Sequence, residues 1–248
     1  MEYLFGDTDV AAQRLKILAD VYAESTRTFI LDTVIDRPRL AVDLGCGPGF
    51  TTHLLADATQ CDHAVGLDNS EHFVSLAQKT ATDRVSFYRH DVASAPFPIG
   101  PSDLLYCRFL LTHVANPQAV IAQWGSQLQM RGLLLIEETE WIHTSNVPFA
   151  EYLKIVEAMI EHQGTNLYAG AVLDRMEDVH RLERRISQVR RVPVSTAQAT
   201  LMFSLNIRSW REQPFVRENY TPSLITQLEH DLENLTRKYD TDIEIEWG

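Results

Sequence analysis

The stretch Asp43-Leu44-Gly45-Cys46-Gly47-Pro48-Gly49 sets three glycines at every second position behind an acidic residue, directly after an apolar run. Glycine permits a tight turn and lets backbone N–H groups approach a ligand where a Cβ would clash. A nicotinamide-dinucleotide loop spaces its glycines G-x-G-x-x-G and aims a helix N-terminus at a pyrophosphate. Here the third glycine comes one residue early, and an anion-binding loop gains nothing from a carboxylate at Asp43. A ligand carrying an ammonium and a sulfonium does. Asp68 closes the next apolar run, HAVGLD, where a carboxylate can accept both hydroxyls of a ribose. Asp91 closes the run after that, RVSFYRHD. Each feature alone has a plain structural alternative. The glycine loop can serve a nucleotide or nothing, Asp68 can cap a helix, and Asp91 can sit in a turn. Their joint placement at three successive strand ends is the informative pattern.

The elements that would hold these residues alternate. Thr8 or Asp7 caps an amphipathic helix over 9–32, with Leu15, Leu18, Ala19 and Tyr22 on one face. Pro38 punctuates, and RLAVDLG begins the first strand. A strand over 63–68 leads into a Ser70-capped helix with Phe73, Leu76 and Ala77 at helical spacing. Strands follow over 84–91 and 103–111. Asn116-Pro117 then starts a helix whose stripe is Val120, Ile121, Trp124 and Leu128. GLLLIEE (132–138) is apolar enough for a strand buried on both faces. Strand–helix alternation of this kind implies a parallel sheet covered by helices. Beyond 140 the expected elements are helices over 149–163 and 171–183, a strand over 185–193, helices over 196–209 and 222–238, and a closing strand in TDIEIEW. That last run is short for a closing strand, which leaves open whether the chain continues. The two long connections exceed what a bare sheet needs and are the places to shape a substrate cavity.

AVDLGCGPGF, VGLDNS, RHDV and DLLYCRFLLTHV together resemble the successive motifs of class I methyltransferases that use S-adenosylmethionine (SAM), over about residues 39–140. EYLFGDTDVAAQRL is similar to the cofactor-covering helix of many small-molecule members. The resemblance implies an α/β, Rossmann-like, seven-stranded and mostly parallel sheet with helices on both faces, its last strand antiparallel, plus an added helical lid. It implies one domain: a cofactor-covering helix (1–36), a SAM-binding core (37–140), lid insertions around the sixth strand (141–220), and a final helix and strand (221–248). Carried onto this sequence, Gly45, Gly47 and Gly49 would line the methionine and ribose portions, and Asp43 would organise the loop around the amino group. Asp68 would hold the ribose, Asn69 would lie beside the adenine, Asp91 would accept its amino hydrogen, and Val92 would offer a backbone N–H to the ring. Arg108 and Phe109 would sit beside the methionine end. S-adenosylhomocysteine (SAH) would be the product. One departure is Met130-Arg131-Gly132, where many members have a proline-glycine-glycine turn.

Methyl transfer from a sulfonium is an in-line displacement with an excellent leaving group, so positioning and water exclusion dominate. A general base is needed only when the acceptor arrives protonated. Ligands of open α/β sheets bind beyond the carboxyl ends of the strands, which brings Thr112 and His113 near the chemistry. His113 is a candidate base, set against a structural role bonding the backbone. Glu138, Glu140 and Trp141 follow the fifth strand, where a carboxylate with an aromatic face would suit a cationic acceptor; the alternative is a loop surface. Glu138 is the second catalytic candidate. Tyr3, Trp141, His143 and Tyr168 are candidate acceptor contacts, and Phe5 is a further aromatic that would close over the cofactor. His53 reads as a helix-face residue.

Composition narrows the partners. The 248 residues are 45% hydrophobic and 23% charged, enough for one sizeable core and inconsistent with extensive disorder. A net charge of −12 repels nucleic acid and anionic membranes. The arginines between 181 and 191 interleave with apolar residues and read as a solvated helix and strand edge. Cys46, Cys61 and Cys107 follow no zinc spacing, so no metal is expected, and they suit a reducing, cytoplasmic compartment. No apolar run approaches the roughly 18–20 residues of a membrane span. The expected partner is therefore a small molecule, with methyl accepted at O, N or C. The rival readings are a SAM-binding scaffold without turnover and a protein methyltransferase. The acceptor and the oligomeric state are not legible.

Overall fold

Short apolar runs rich in Val, Leu and Ile become neighbouring parallel strands because each must bury both faces. In the computed structural model, which describes residues 5–177, 179, 181–238 and 243–248, five of them form one parallel sheet. These are β1 (Leu40–Leu44), β2 (His63–Asp68), β3 (Val85–Arg89), β4 (Ser102–Arg108) and β5 (Leu128–Glu137), in the order β3-β2-β1-β4-β5. Val42 of β1 lies opposite Val65 of β2 and Leu105 of β4. Alternate side chains serve opposite faces. Ala41, Leu104 and Tyr106 join a cluster with Leu55 and Phe87, while Val42, Leu44, Leu105 and Cys107 join one with Trp124 and Ile121.

The helices carry the capping chemistry visible in their sequences. The Thr8 hydroxyl accepts from Ala11 N at the start of α1 (Asp9–Thr33). After α2 (Phe50–Thr59), Ser70 caps α3 (Glu71–Gln78) by accepting from Phe73 N. Asn116, with Pro117 at the first helical position, caps α4 (Pro117–Gly125). Further on, Asn146 caps α5 (Val147–His162) and Ser195 caps α7 (Thr196–Trp210).

The expectation of one seven-stranded sheet is corrected. β6 (Ile142–Thr144), β7 (Val192–Ser195) and β8 (Ile243–Trp247) form a separate three-stranded sheet in the order β6-β8-β7, with β8 antiparallel to both neighbours. The break falls at 138–141. There the chain leaves β5, the backbone N–H groups of Glu140 and Trp141 donate to the Gly248 carbonyl, and Gly248 N donates back to Trp141 O. The helix expected over 171–183 stops early as α6 (Ala169–Asp174). The Arg184 guanidinium explains the stop: it donates to the carbonyls of Leu173, Asp174 and Met176, covering the acceptors that another turn would use. Arg184 is thus a bracket rather than part of a solvated helix. The strand expected over 185–193 begins only at Val192, where Val192 and Val194 turn inward. In place of the turn at Met130-Arg131-Gly132, β5 runs through with a register shift opposite Ser102 and Leu104, Arg131 taking φ +69°. α8 (Pro214–Asn219) had no expected counterpart, and α9 (Pro222–Lys238) matches its expected span.

The largest core cluster lies outside the five-stranded sheet, where α1, α5, α7 and α9 meet the small sheet around Phe149, Phe203, Trp210 and Leu232. Leu105, at the centre of β4, is fully buried. Leu105→Ala is expected to lower the unfolding free energy by about 2–5 kcal/mol, read from urea midpoints at unchanged slope. A loss below about 1 kcal/mol would contradict a closed core at that position.

Candidate active site

Strand order reverses between β1 and β4, and the crevice outside their carboxyl ends is where ligands of open α/β sheets bind. The chain leaving β1 bends there at once. Gly45, Gly47 and Gly49 all take positive φ (73°, 52° and 92°), a region costly for residues with a Cβ. Gly45 N and Cys46 N donate to Leu67 O, and Gly47 N donates to Asp68 Oδ2 at 2.8 Å. The other Asp68 oxygen accepts from Ser70 N at 2.8 Å. Burial pushes the Asp68 pKa upward against these hydrogen bonds.

Asp43 is held differently from the expectation. It is buried, and Oδ2 accepts from the hydroxyls of Thr51 (2.5 Å) and Thr52 (2.7 Å) in the first turn of α2. Desolvation raises its pKa to about 6, offset in part by those hydroxyls. Asp43 therefore fastens the glycine loop to α2 and lies behind the cavity wall. Gly49 also faces away from the cavity: a Cβ there would stand 2.8 Å from the Phe87 ring.

Gly45, Gly47, Asp68, Asn69, Asp91, Val92, Arg108, Phe109 and His113 line one cavity of about 750 Å³. That is the size range of pockets that enclose small ligands. The Val92 carbonyl is fixed by the Trp124 indole N–H at 2.8 Å. Phe109 takes φ +54° and donates its N–H to Glu137 O, which turns the chain sharply off β4. Burial lowers the His113 pKa to about 4, with Arg14 adding repulsion, so its imidazole is neutral at physiological pH.

Glu138 does not line this cavity. Its Oε1 accepts from the N–H groups of Leu110 (2.8 Å) and Leu111 (2.7 Å), and Oε2 accepts from the Thr112 hydroxyl (3.2 Å). It acts as a clasp for the Leu111–His113 3-10 turn. Trp141 and His143 stack on each other (centroids 4.3 Å apart) with Arg191 over the Trp141 ring, and His143 opens onto a separate groove. Tyr168 sits beside the cavity-lining Leu167, its N–H donating to Asn166 Oδ1, and is not itself part of the wall. Tyr3 lies outside the described residues. Phe5 does reach the cavity, edge-on to His113. His53 faces away, bonded to Thr80. Among the described residues no group of His, Cys, Asp and Glu is arranged to hold a metal ion.

Several wall residues have no counterpart among the sequence-based candidates. Arg14, Leu18, Tyr22, Thr26 and Ile30 recur every fourth residue along α1, each a surface neighbour of the next in a row that winds slowly round the helix. The signal was two polar residues inside that row. Arg14 and Tyr22 line the cavity, and Thr26 is fully buried behind it. Arg108 Nη1 donates to Thr26 Oγ1 (3.0 Å), which donates to Glu137 Oε2 (2.8 Å), where the Tyr106 hydroxyl also ends. Tyr152 and Asn206 enter from α5 and α7, too far along the chain for spacing to connect them.

A Rossmann-like α/β sheet with a glycine loop and an acidic strand end at its switch point defines a nucleoside-binding class of site. Residues 41–132 match the family described as a methyltransferase domain. Curated relatives include a trans-aconitate 2-methyltransferase of Agrobacterium fabrum, 28% identical over 51% of this chain and 49% of that protein. One from Acidovorax sp. is 34% identical over 40% of this chain and 38% of its own. The chain thus spans less than half the length of the curated relatives it matches. Among solved structures, a putative methyltransferase from Bacillus halodurans aligns over 90% of this chain and 95% of its own, at TM-score 0.56 and 15% identity. The YcgJ protein from Bacillus subtilis aligns over 79% and 88% at TM-score 0.52 and 14% identity. Those likenesses concern the fold alone.

The Glu138 clasp carries a pH signature. Burial raises its carboxyl from an ordinary 4.5 to about 7, so the folded chain holds the proton more tightly than the unfolded one. The stability this contributes is full below about pH 4.5 and is lost as pH rises through 7. Asp43 acts in the same direction between 3.8 and about 6. Glu138→Gln keeps an oxygen for Leu110 and Leu111 and is expected to flatten the fall in stability between pH 5 and 8 in urea titrations. Glu138→Ala strands two N–H groups and should cost about 2 kcal/mol or more at any pH. Identical pH slopes in wild type and Glu138→Gln would refute the clasp.

Proposed function

We propose that the chain is a SAM-dependent methyltransferase acting on a small-molecule acceptor at O, N or C. The observation that carries this is a single cavity joining the glycine loop and Asp68 to an aromatic compartment of acceptor size. The residues present fit the cofactor. Positive-φ glycines make the bend beside the cavity, two carboxylates, Asp68 and Asp91, line it as available acceptors, and a cation, Arg14, lines the wall near His113.

In this reading Asp68 accepts from the ribose hydroxyls while its hydrogen bonds to Gly47 N and Ser70 N hold it in place. Asp91 and Val92 receive the adenine edge, with Asn69 beside it. Arg14 faces the methionine carboxylate, and Phe5 together with α1 as far as Tyr22 covers the ligand. Bound there, the cofactor would supply a sulfonium-activated methyl group for displacement by the acceptor. The chain's own work is to hold the acceptor in line and keep water out. His113 contributes a neutral imidazole hydrogen-bonding group to the wall, and its low pKa makes it a weak base. Glu138 is a positioning residue for the turn that carries His113. The segment 141–220 supplies the acceptor-binding insertions on a single domain.

The trans-aconitate names of the relatives support a small-molecule acceptor. The net charge of −12 argues against nucleic acid and anionic membranes as partners. Among the described residues no helix is long and apolar enough to cross a membrane, and three buried free thiols are in keeping with a cytoplasmic setting.

SAH titrated calorimetrically is expected to bind one site per chain. Asp68→Ala should weaken it at least tenfold, about 1.4 kcal/mol, without lowering the unfolding temperature in proportion. Incubation with radiolabelled SAM and a metabolite extract should then label a small molecule. Binding without any label transfer would favour a SAM-binding scaffold, and no binding would end the proposal.

A further inference from the structure

Beyond Arg108 the cavity changes character. Its inner end is walled by five aromatic rings that touch in sequence. Phe109 meets Tyr22 edge-on (centroids 4.8 Å), Tyr22 meets Trp247 (6.4 Å), Trp247 meets Phe203 (6.0 Å), and Phe203 stacks on Tyr152 (3.8 Å, 12°). A wall of ring faces and edges favours a flat ligand, because offset-stacked and edge-on pairs contribute beyond their area.

Two residues of that wall carry unmatched polar atoms. Tyr22 is 7% exposed, and its hydroxyl is buried with no hydrogen-bond partner among the described residues. Asn206 is 5% exposed; its amide nitrogen donates to the Tyr152 hydroxyl at 2.6 Å, while Oδ1 is buried and unmatched. Both residues line the cavity. Unmatched buried polar atoms are rare and costly in folded proteins, and a cavity lined by two residues that carry them, among apolar rings, has the form of a binding subsite. Asn206 Oδ1 can only accept, whereas Tyr22 Oη can donate or accept. A hydroxyl on a ligand answers both, donating to the first and accepting from the second.

Charge narrows the class further. The cation at this end is Arg108, which stands over the rings of Tyr22 (5.9 Å) and Phe109 (5.6 Å). Its charge is matched through Thr26 by Glu137, where Tyr106 also ends. Among the described residues no carboxylate lines the inner end to meet an ammonium, and the cavity's other cations stand away from it, Arg14 on the Phe5 and His113 side and Arg89 bonded to Asn69 O and Glu71. A charged acceptor would give up its hydration for no counter-charge.

We propose that this inner end is the acceptor subsite and that it selects a planar, uncharged hydroxy compound, its hydroxyl held between Asn206 Oδ1 and Tyr22 Oη. The subsite rests on the cofactor reading above and departs from the acidic acceptor in the relatives' names. The family match ends at residue 132, before the elements that bring in Tyr152, Phe203, Asn206 and Trp247.

The test uses four probes of one ring system on the whole chain saturated with SAH: 2-naphthol, naphthalene, 2-naphthoate and 2-naphthylmethylamine. Binding is followed by probe fluorescence. 2-Naphthol is expected to bind about tenfold tighter than each of the others. Tyr22→Phe, which removes one oxygen, and Asn206→Leu should each lower naphthol affinity about threefold to tenfold and leave naphthalene unchanged. Asn206→Ser stands in should Asn206→Leu unfold at a lower temperature. Equal affinity for naphthol and naphthalene, preference for naphthoate or the amine, no binding of any probe, or variants indistinguishable from wild type would each overturn the assignment. SAH is titrated first on the same samples. Failure there sinks the cofactor reading and this inference with it, whereas SAH binding without naphthol preference sinks the inference alone.

Discussion

The bend after β1 is the constraint on which the site depends. Three residues with positive φ in five positions are not a conformation a chain keeps unaided. Here hydrogen bonds hold it from three directions: Leu67 O on Gly45 N and Cys46 N, Asp68 on Gly47 N, and Asp43 on the two threonines that open α2. Two acidic residues thus shape the loop from either side, one hidden behind it and one exposed to the cavity. The cost of burying them appears as raised pKa values, and the return is a rigid cradle at the sheet's switch point.

A second clasp mirrors the first across the crevice. Glu138 leaves the end of β5 and captures the N–H groups of Leu110 and Leu111, fixing the turn after β4 that places Phe109 and His113. The same turning of the chain at 138–141 ends the parallel sheet and starts the small antiparallel one. One local choice therefore sets both the site's far wall and the architecture. α1 closes the front, and its every-fourth-residue row runs from Arg14 in the cavity to Thr26 in the hydrogen-bonded network behind it. The helix is joined to the sheet by polar bonds as well as apolar contact.

The core was legible because its physics is local. Parallel strands declare themselves as apolar runs, caps as Ser, Thr or Asn before a stripe, and the glycine loop as glycines at fixed spacing, so β1 to β4 and α1, α3 and α4 lie near where the pattern put them. Where partners are distant in sequence the pattern ran out. Arg184 ending α6, Glu138 facing inward and the pairing of β8 with β6 are long-range events that no window contains. Among the cavity-lining residues, Asp68, Asp91, Arg108 and His113 were readable from strand ends. Asp43 and Gly49 were found by the motif but stand behind the cavity wall, one fastening the loop and the other packed on Phe87. Trp141 and His143 were picked as an aromatic and a titratable group near the fifth strand, yet they stack on each other in the small sheet. Tyr22, Tyr152 and Asn206 meet only through tertiary contact.

The central claim is that Asp68 and the aromatic inner end belong to one ligand path. A crystal structure with SAH bound tests it most directly. The account predicts ribose hydroxyls within hydrogen-bond distance of Asp68 and the thioether sulfur turned toward the compartment of Tyr22 and Asn206. A ligand seated elsewhere, or a sulfur facing away from those residues, would contradict it.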